Sequence, residues 1–535
     1  MQTIFSERLA RLFVSSRFFL LAFVLLGCRE SFTPTTSPAL TRPLPTLTAF
    51  ASPSPLMLET ETPTPTRAPI SFDATATPQP TPFGAPPPPP ASDTNIYFQE
   101  VALVAYPYET FLFPATDAQT NVSFFALDRD AYEKAHKNLG TTQKIFRAVV
   151  LENRYLKLTF LPELGGRLYQ ITYKPTNQNL LYNNRVLKPS PWGLSAQKGW
   201  LAAGGIEWAF PTQEHGYEWN AAWQFETNFD DNAATITLRD SDAADRPRVR
   251  IRVTLRAQTA NFEIETRVEN PTAQPQRVQF WNNAMLNLGA HEISPNTEFI
   301  FPSDSVFVHS TGNEWIPQEF VPPGARHAAA PVSFSNLNGR DLRWYKNWDV
   351  YLGVFAAQAN AKNLATNFVG AYNHTTALGI ARVFPPEQAP GVKLFAFGPN
   401  FCCRDLYTDD GSGYFEMWGG IPRTFFPEDD VTLAPNETRA WTETWLPFAR
   451  TNGLLAASAD AAISLRVEKN QAFVSIASAR AREAVLVLKQ NGEIVQTRPM
   501  SLTPQEAWSE QFPIAGGAIQ VQLQDAQGNL IVETK

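Results

Sequence analysis

The sequence predicts an all-β protein, with one large antiparallel β-domain followed by a small β-sandwich. Three observations predict it. Ile236 and Leu238, then Val249, Ile251, Val253 and Leu255, then Phe262, Ile264, Thr266 and Val268 alternate with polar residues. That period of two marks antiparallel strands with one buried face. Turn clusters such as DSDAADRP and ENPTAQPQ separate the runs. No long alternation of strand and helix patterns occurs, and Gly-x-Gly-x-x-Gly is absent, which argues against a doubly wound nucleotide-binding fold.

The chain opens with Arg8, Arg11 and Arg17 ahead of a short apolar run, Phe18 to Leu26, too short to cross a bilayer as a mature helix. Leu25-Leu26-Gly27-Cys28 resembles the bacterial lipobox. That resemblance implies a signal peptide over residues 1–28 and a mature chain held outside the cell membrane by acyl chains on Cys28. Each buried methylene of such an anchor contributes about 0.8 kcal/mol. The alternative is an ordinary signal peptide with a chance cysteine. Residues 29–95 are rich in Thr, Pro, Ser and Ala (TPTPT, TPQPTP, APPPPPAS) and carry too few large apolar side chains to offset their ordering entropy. They read as a disordered, partly polyproline stalk.

Residues 96–450 form the large domain. Its one helical pattern is Asp130-AYEKAHKNL-Gly140, with Asp at the start and Gly past the end. After the joint AASADAA, residues 455–535 carry short alternating runs at Ile463/Leu465/Val467, Val485/Val487, Ile494 and Ile519/Val521/Leu523, with turns at Asn491-Gly492 and Gly528-Asn529. Such spacing predicts a small Ig-like β-sandwich with a packing or accessory role.

A net charge of −7 without any Lys/Arg cluster argues against nucleic acid as partner. Three cysteines give no disulfide framework: Cys28 is assigned to lipid, and a ring closed between adjacent Cys402 and Cys403 would be strained. The fold must then stand on its hydrophobic core. No HExxH, CxxC or GxSxG occurs, so neither a metal, a cofactor nor a serine nucleophile is expected. A set of Glu207, His215 and His374 lacks the spacing of a metal site.

Four segments carry the candidate chemistry: Leu151-ENRYLKLTFLPELGGRLYQI, Gly204-GIEWAFPTQEHGYEW, Tyr372-NHTTALGIARVF, and Asp409-DGSGYFEMWGGIPR leading to LAPNETRAWTETWLPF. With WNNA at 281–284 they resemble a bacterial domain family of unknown function, DUF5107, within the galactose mutarotase-like superfamily. The resemblance covers roughly residues 100–450. It implies a large antiparallel β-supersandwich with a carbohydrate-facing groove on one concave sheet. Superfamily members include aldose epimerases and domains of glycosidases and lyases, so the fold alone does not fix the reaction.

Mutarotation needs a base for the anomeric hydroxyl and an acid for the ring oxygen. The resemblance puts Glu416 at the base position. At the acid position, where epimerases carry His, stands Asn283, which donates a hydrogen bond but yields no proton near neutral pH. Either His215, Glu207 or His374 replaces that acid, or the reaction differs, or there is none. Each candidate has a plainer reading. Glu416 would be a structural partner for Arg423 or Arg404, and His215 a turn cap. His374 would be a satisfied core histidine. Glu207 follows Gly204-Gly205, which lets backbone approach a ligand closely. Trp208, Trp281 and Trp418 read as sugar-stacking platforms or as core. Arg167 binds an anionic sugar group or a neighbouring carboxylate. The resulting expectation is a lipid-anchored, carbohydrate-binding protein acting as an epimerase or glycosidase; the alternative is a non-catalytic glycan-binding lipoprotein.

Overall fold

The computed structural model describes residues 93–190, 192, 200–320, 330–357 and 367–534. The expected leader at 1–28 with Cys28, and nearly all of the 29–95 stalk, lie outside the described residues. The first strand, Thr94–Ala105, starts two residues before the expected domain boundary. No helix among the described residues is long and apolar enough to cross a membrane.

A thirteen-stranded sheet and an eight-stranded sheet face each other. Between them lies one core, to which Leu158, Ile206, Ala284 and Met417 contribute from the larger sheet, and Ile236, Val253, Ile264 and Trp445 from the smaller. Alternation does the sorting. Along Phe262–Glu269 every second residue is buried, so apolar side chains enter the core while Glu and Arg stay outside. The central strands of the larger sheet, Gly205–Ala209, Phe280–Leu286 and Phe415–Ile421, are instead buried at every position. A second layer covers their other face: Met285, Tyr169, Trp200 and Tyr414 in one cluster, Trp281, Phe355, Trp418 and Phe425 in another.

The smaller sheet closes late in the sequence. Thr438–Ala449 pairs with Phe262–Glu269 on one side and Leu378–Val383 on the other. Thr438–Ala449 and Leu378–Val383 carry a fully buried ion pair, with Arg382 Nε 2.7 Å and a terminal nitrogen 2.6 Å from the two Glu443 oxygens. Asn282 of the larger sheet donates to Glu443 Oε2 at 2.9 Å, and Trp441 Nε1 donates to Oε1 at 3.2 Å. One polar post thus spans the apolar core. A Cβ at Gly419 would overlap the Arg382 guanidinium, which accounts for the first glycine of WGG.

The helix spans Arg129–Leu139, and Asp128 is its cap, accepting from the Ala131 N–H. Cys402 and Cys403 are joined to each other, where the sequence expected no disulfide. The C-terminal part is a sandwich of two four-stranded sheets around Ile463, Val474, Leu486, Leu488, Val521 and Leu523. Its hairpin turns at Asn491 (φ 52°) and Gly492 (φ 89°), as two left-handed residues require. Leu486 and Leu488 supply the core of that hairpin rather than the expected Val485, and Ile494 is 62% exposed. Packing against the large domain includes hydrogen bonds from Tyr173 Oη to the Pro504 carbonyl (2.6 Å) and from Asn261 Nδ2 to the Ala459 carbonyl (2.6 Å).

Removing one partner of a buried ion pair leaves an uncompensated charge in a low-dielectric core. Arg382→Met is expected to cost about 3–5 kcal/mol in denaturant unfolding. The double change Arg382→Met, Glu443→Met should recover only part of that loss, because Asn282 and Trp441 then lose their acceptor.

Candidate functional site

Antiparallel register builds the site. Pairing sets Glu207 opposite Asn283, Asn283 opposite Trp418, and Trp418 opposite Lys393. Side-chain alternation then turns all four to the face away from the main core. Glu416 lies on that face two residues before Trp418, opposite Met285 and Phe395.

Two glycine pairs bring the Arg167 and Glu207 strands together. Gly165 and Gly166 take φ of 68° and 64° in the turn before Arg167. Gly204 (φ 88°) leaves no room for a Cβ against the Tyr182 carbonyl, and a Cβ at Gly205 would lie 2.6 Å from the Leu168 carbonyl. Arg167, fully buried, donates to the Gly204 carbonyl at 2.7 Å and to Glu207 Oε2 at 3.2 Å. After Ala209 the chain folds back, closed by Tyr217 N–H donating to the Phe210 carbonyl at 3.0 Å. That return sets His215 Nδ1 2.5 Å from Glu207 Oε1. The imidazole stacks on Trp200 at 3.7 Å and lies 5.4 Å from Trp418.

The two carboxylates meet opposite electrostatic fates. Burial alone would raise Glu207, but His215, Arg167 and the Asn283 amide (2.9 Å) together hold it below the usual glutamate range. Burial pushes Glu416 above that range; Lys393, His215 and the Trp418 indole N–H (2.9 Å) offset only part of the rise. Lys393 sits among rings, 4.3 Å from the Phe425 centroid and 4.6 Å from that of Trp418. Burial lowers its ammonium to about 8, against the pull of Glu416 and Glu214. Glu207 is thus an ionised anchor for His215, and Glu416 a carboxyl tuned toward neutral pH.

Arg167, Glu207, His215, Asn283, Glu416 and Trp418 therefore come together. Trp281 lies in the adjoining apolar wall, its Nε1 donating to Gln279 Oε1 at 3.0 Å. Trp208 points into the main core, on the opposite face from Glu207, and donates to the Gly166 carbonyl. His374 lies in the turn after Phe368–Asn373, a strand of the other sheet, where it pairs with Glu298 at 2.9 Å beside Tyr372 and Trp344. The set Glu207, His215, His374 is therefore not assembled, and no group of three or more His, Cys, Asp or Glu among the described residues could hold a metal ion. Lys393 and His215 act on Glu416, whereas Arg404 bonds Tyr345 and the Gly411 carbonyl. The cluster is closed: Glu207 and Glu416 are each 3% exposed.

The sequence alone does not single out Lys393 or His309. His309 packs edge-on to Phe355 and Phe425, next to Lys393. Both stand as lone ionisable residues inside apolar strands, GVKLFAF and SVFVHST, and that isolation was the available signal.

The shifts set the pH dependence of stability. A depressed glutamate stabilises the fold above its unfolded value, near 4.3, and loses that contribution as pH falls through the folded value. A raised one stabilises below its unfolded value and loses that contribution as pH rises through the folded value. Relative to the native protein, Glu207→Gln should be most destabilised at neutral pH and less so in acid. Glu416→Gln should improve as pH rises from 4 to 7. Denaturant unfolding at three pH values checks both slopes.

Residues 130–448 match the family described as a domain of unknown function, DUF5107, and residues 456–534 match the second domain of YphG-like proteins. Among solved structures, a TPR-domain containing protein from Parabacteroides distasonis is 19% identical with a TM-score of 0.52. That match covers 66% of this chain and 55% of the other, so the chain spans little more than half of that relative. A galactose mutarotase-like protein from Clostridium acetobutylicum gives 11% identity over 57% of this chain and 96% of its own, at a TM-score of 0.37. Galactose 1-epimerase from Lactobacillus acidophilus gives 13% over 57% and 95%, at 0.35. With the first family match spanning more than half of its length, the chain belongs to the DUF5107 domain family.

Proposed function

We propose that the large domain acts on a saccharide by proton transfer, as an epimerase-like activity, with Glu416 as base and His215 as acid. What supports the reading is one observation: two carboxyls held on one sheet face in opposite electrostatic states, with His215 beside both. Glu207 holds the imidazole through Nδ1, so Nε2 is the nitrogen left to give a proton to a sugar ring oxygen. The covering aromatic layer must open to admit the sugar, because Glu416 is 3% exposed; Glu416 then takes the proton of the anomeric hydroxyl, and the C1–O5 bond opens to the aldehyde and recloses on the other face. Atoms and charge balance through the two side chains. Asn283 does not stand in for the missing acid in this scheme. It donates to Glu207 and so keeps that carboxylate ionised beneath His215. The sugar itself comes from the resemblance of GGIEWAFP and GYFEMWGG to the mutarotase-like superfamily.

A second reading, a non-catalytic glycan-binding protein, draws on Asn283, which stands where epimerases carry their acid and is spent on a hydrogen bond to Glu207. Both readings have the domain outside the cell membrane, carried by lipid on Cys28 and the Pro-rich stalk.

Turnover decides between them. With anomeric exchange of a panel of aldoses followed by NMR, Glu416→Gln should abolish exchange while saccharide binding persists. Binding without exchange in the native protein would favour the receptor. Lys393→Met removes the cation beside Glu416, raises that carboxyl further, and should move the acid limb of the rate–pH profile to higher pH. Cys28→Ser should shift the protein from the membrane fraction to the soluble fraction.

A further inference from the structure

The outer face of the eight-stranded sheet carries an arginine cluster, where the sequence predicts no Lys/Arg cluster, and the Glu207 site does not explain it. Alternation along Arg248–Arg256 turns Arg248, Arg250, Arg252, Thr254 and Arg256 outward. Strand pairing sets Arg239 opposite Arg250 and Arg250 opposite Arg267, so three guanidinium groups form one row across three strands. Like charges directly opposite one another destabilise a sheet. Neighbouring rows follow the ordinary rule, with Arg248 opposite Glu269 and Arg252 opposite Glu265. Within the row, Arg239 reaches Glu226 at 2.6 Å and Arg267 reaches Glu269 at 2.9 Å. Nε of Arg239 and Nε of Arg250 are both buried without a hydrogen-bond partner.

The row opens into a hollow of about 290 Å³ lined by Arg239, Arg250, Arg252, Arg267, Glu226 and Glu265, four cations against two carboxylates. A second hollow of about 300 Å³ adjoins it through Arg252 and Glu265; Asn228, Thr235, Thr254 and Thr442 line it together with Asp230, Glu263 and Arg256. One end of the groove is cationic; the other mixes hydroxyl and amide groups with three carboxylates and two guanidiniums, so only the first end favours an anion. Together the hollows have the size of a small-molecule site. A planar oxyanion accepts paired N–H donors from guanidinium, and Thr and Asn side chains exchange hydrogen bonds with sugar hydroxyls.

We propose that this groove binds an anionic saccharide, with its carboxylate or sulfate on the Arg239–Arg250–Arg267 row and its hydroxyls on the threonine-rich half. The groove lies on the other sheet from Glu207 and Glu416, so the proposal stands or falls independently of any catalysis there.

Calorimetric titration of the full-length protein with trigalacturonate, maltotriose and inorganic sulfate tests it. Trigalacturonate should bind, weaken with added salt, and lose about tenfold or more in affinity in Arg250→Gln. Maltotriose should bind far more weakly. The melting temperature of Arg250→Gln should hold or rise, because a like-charge neighbour is gone. Unchanged trigalacturonate affinity in that variant, or equal binding of maltotriose, would overturn the proposal. So would sulfate binding as tightly as the uronate, which marks an adventitious ion only. A lowered melting temperature with intact uronate binding would assign the row to the fold alone. Arg252→Gln, at an exposed position, repeats the test should Arg250→Gln not fold.

Discussion

Strand register is the constraint on which the rest of this molecule depends. Glu207, Asn283, Trp418 and Lys393 come from four separate stretches of chain and share one line because four antiparallel strands pair in a fixed alignment. A slip of one residue in the Asn283 strand would carry Asn282 to the outer face and Asn283 into the core. It would break two networks together, because Asn282 is the larger sheet's link to Glu443 and Asn283 its link to Glu207. The two adjacent asparagines of WNNA thus bind the same strand to polar partners on both its faces. Register and site are specified by the same residues.

Burying charge on both faces of a strand demands compensation, and the molecule meets the demand in two ways. Glu443 has a bidentate guanidinium and two further donors, so that it is closed to any other partner. Glu207 has Arg167, His215 and Asn283, and one of these three is itself a proton carrier. Glu416 is less well provided: an indole N–H, and a lysine whose own burial weakens its charge. The difference between an inert buried carboxylate and a responsive one lies in that shortfall. The aromatic rings around Lys393 deepen it by excluding water from the pair.

The fold was largely legible because its outer strands alternate plainly. Phe262–Glu269 and Arg248–Arg256 read directly as half-buried strands. The central strands were recognisable only through the resemblance, since burial on both faces erases alternation in FWNNAML and FEMWGGI. The same effect misdirected Trp208. Its neighbour Glu207 faces one way and the indole the other, and a sequence without known register does not say which face holds the chemistry. His374 has the residue type of a site acid, yet it follows directly on Phe368–Asn373, a strand of the opposite sheet. Lys393 went unmarked because one cation in an apolar strand has no motif; its meaning comes from Glu416 on the adjacent strand. At the C-terminal hairpin alternation does not fix the phase, because Val485, Leu486, Val487 and Leu488 are all apolar and only packing selects among them.

The place of Thr438–Ala449 has a consequence for biosynthesis. This strand lies between two that emerge earlier from the ribosome, and it brings Glu443 to a waiting Arg382. Until it arrives, the smaller sheet has an open seam in its middle and a bare guanidinium in its interior. A nascent chain that stopped short of residue 449 would hold two unpaired edges and an unneutralised core, a state prone to associate with other chains. A polypeptide kept unfolded until its whole length is available would avoid that state.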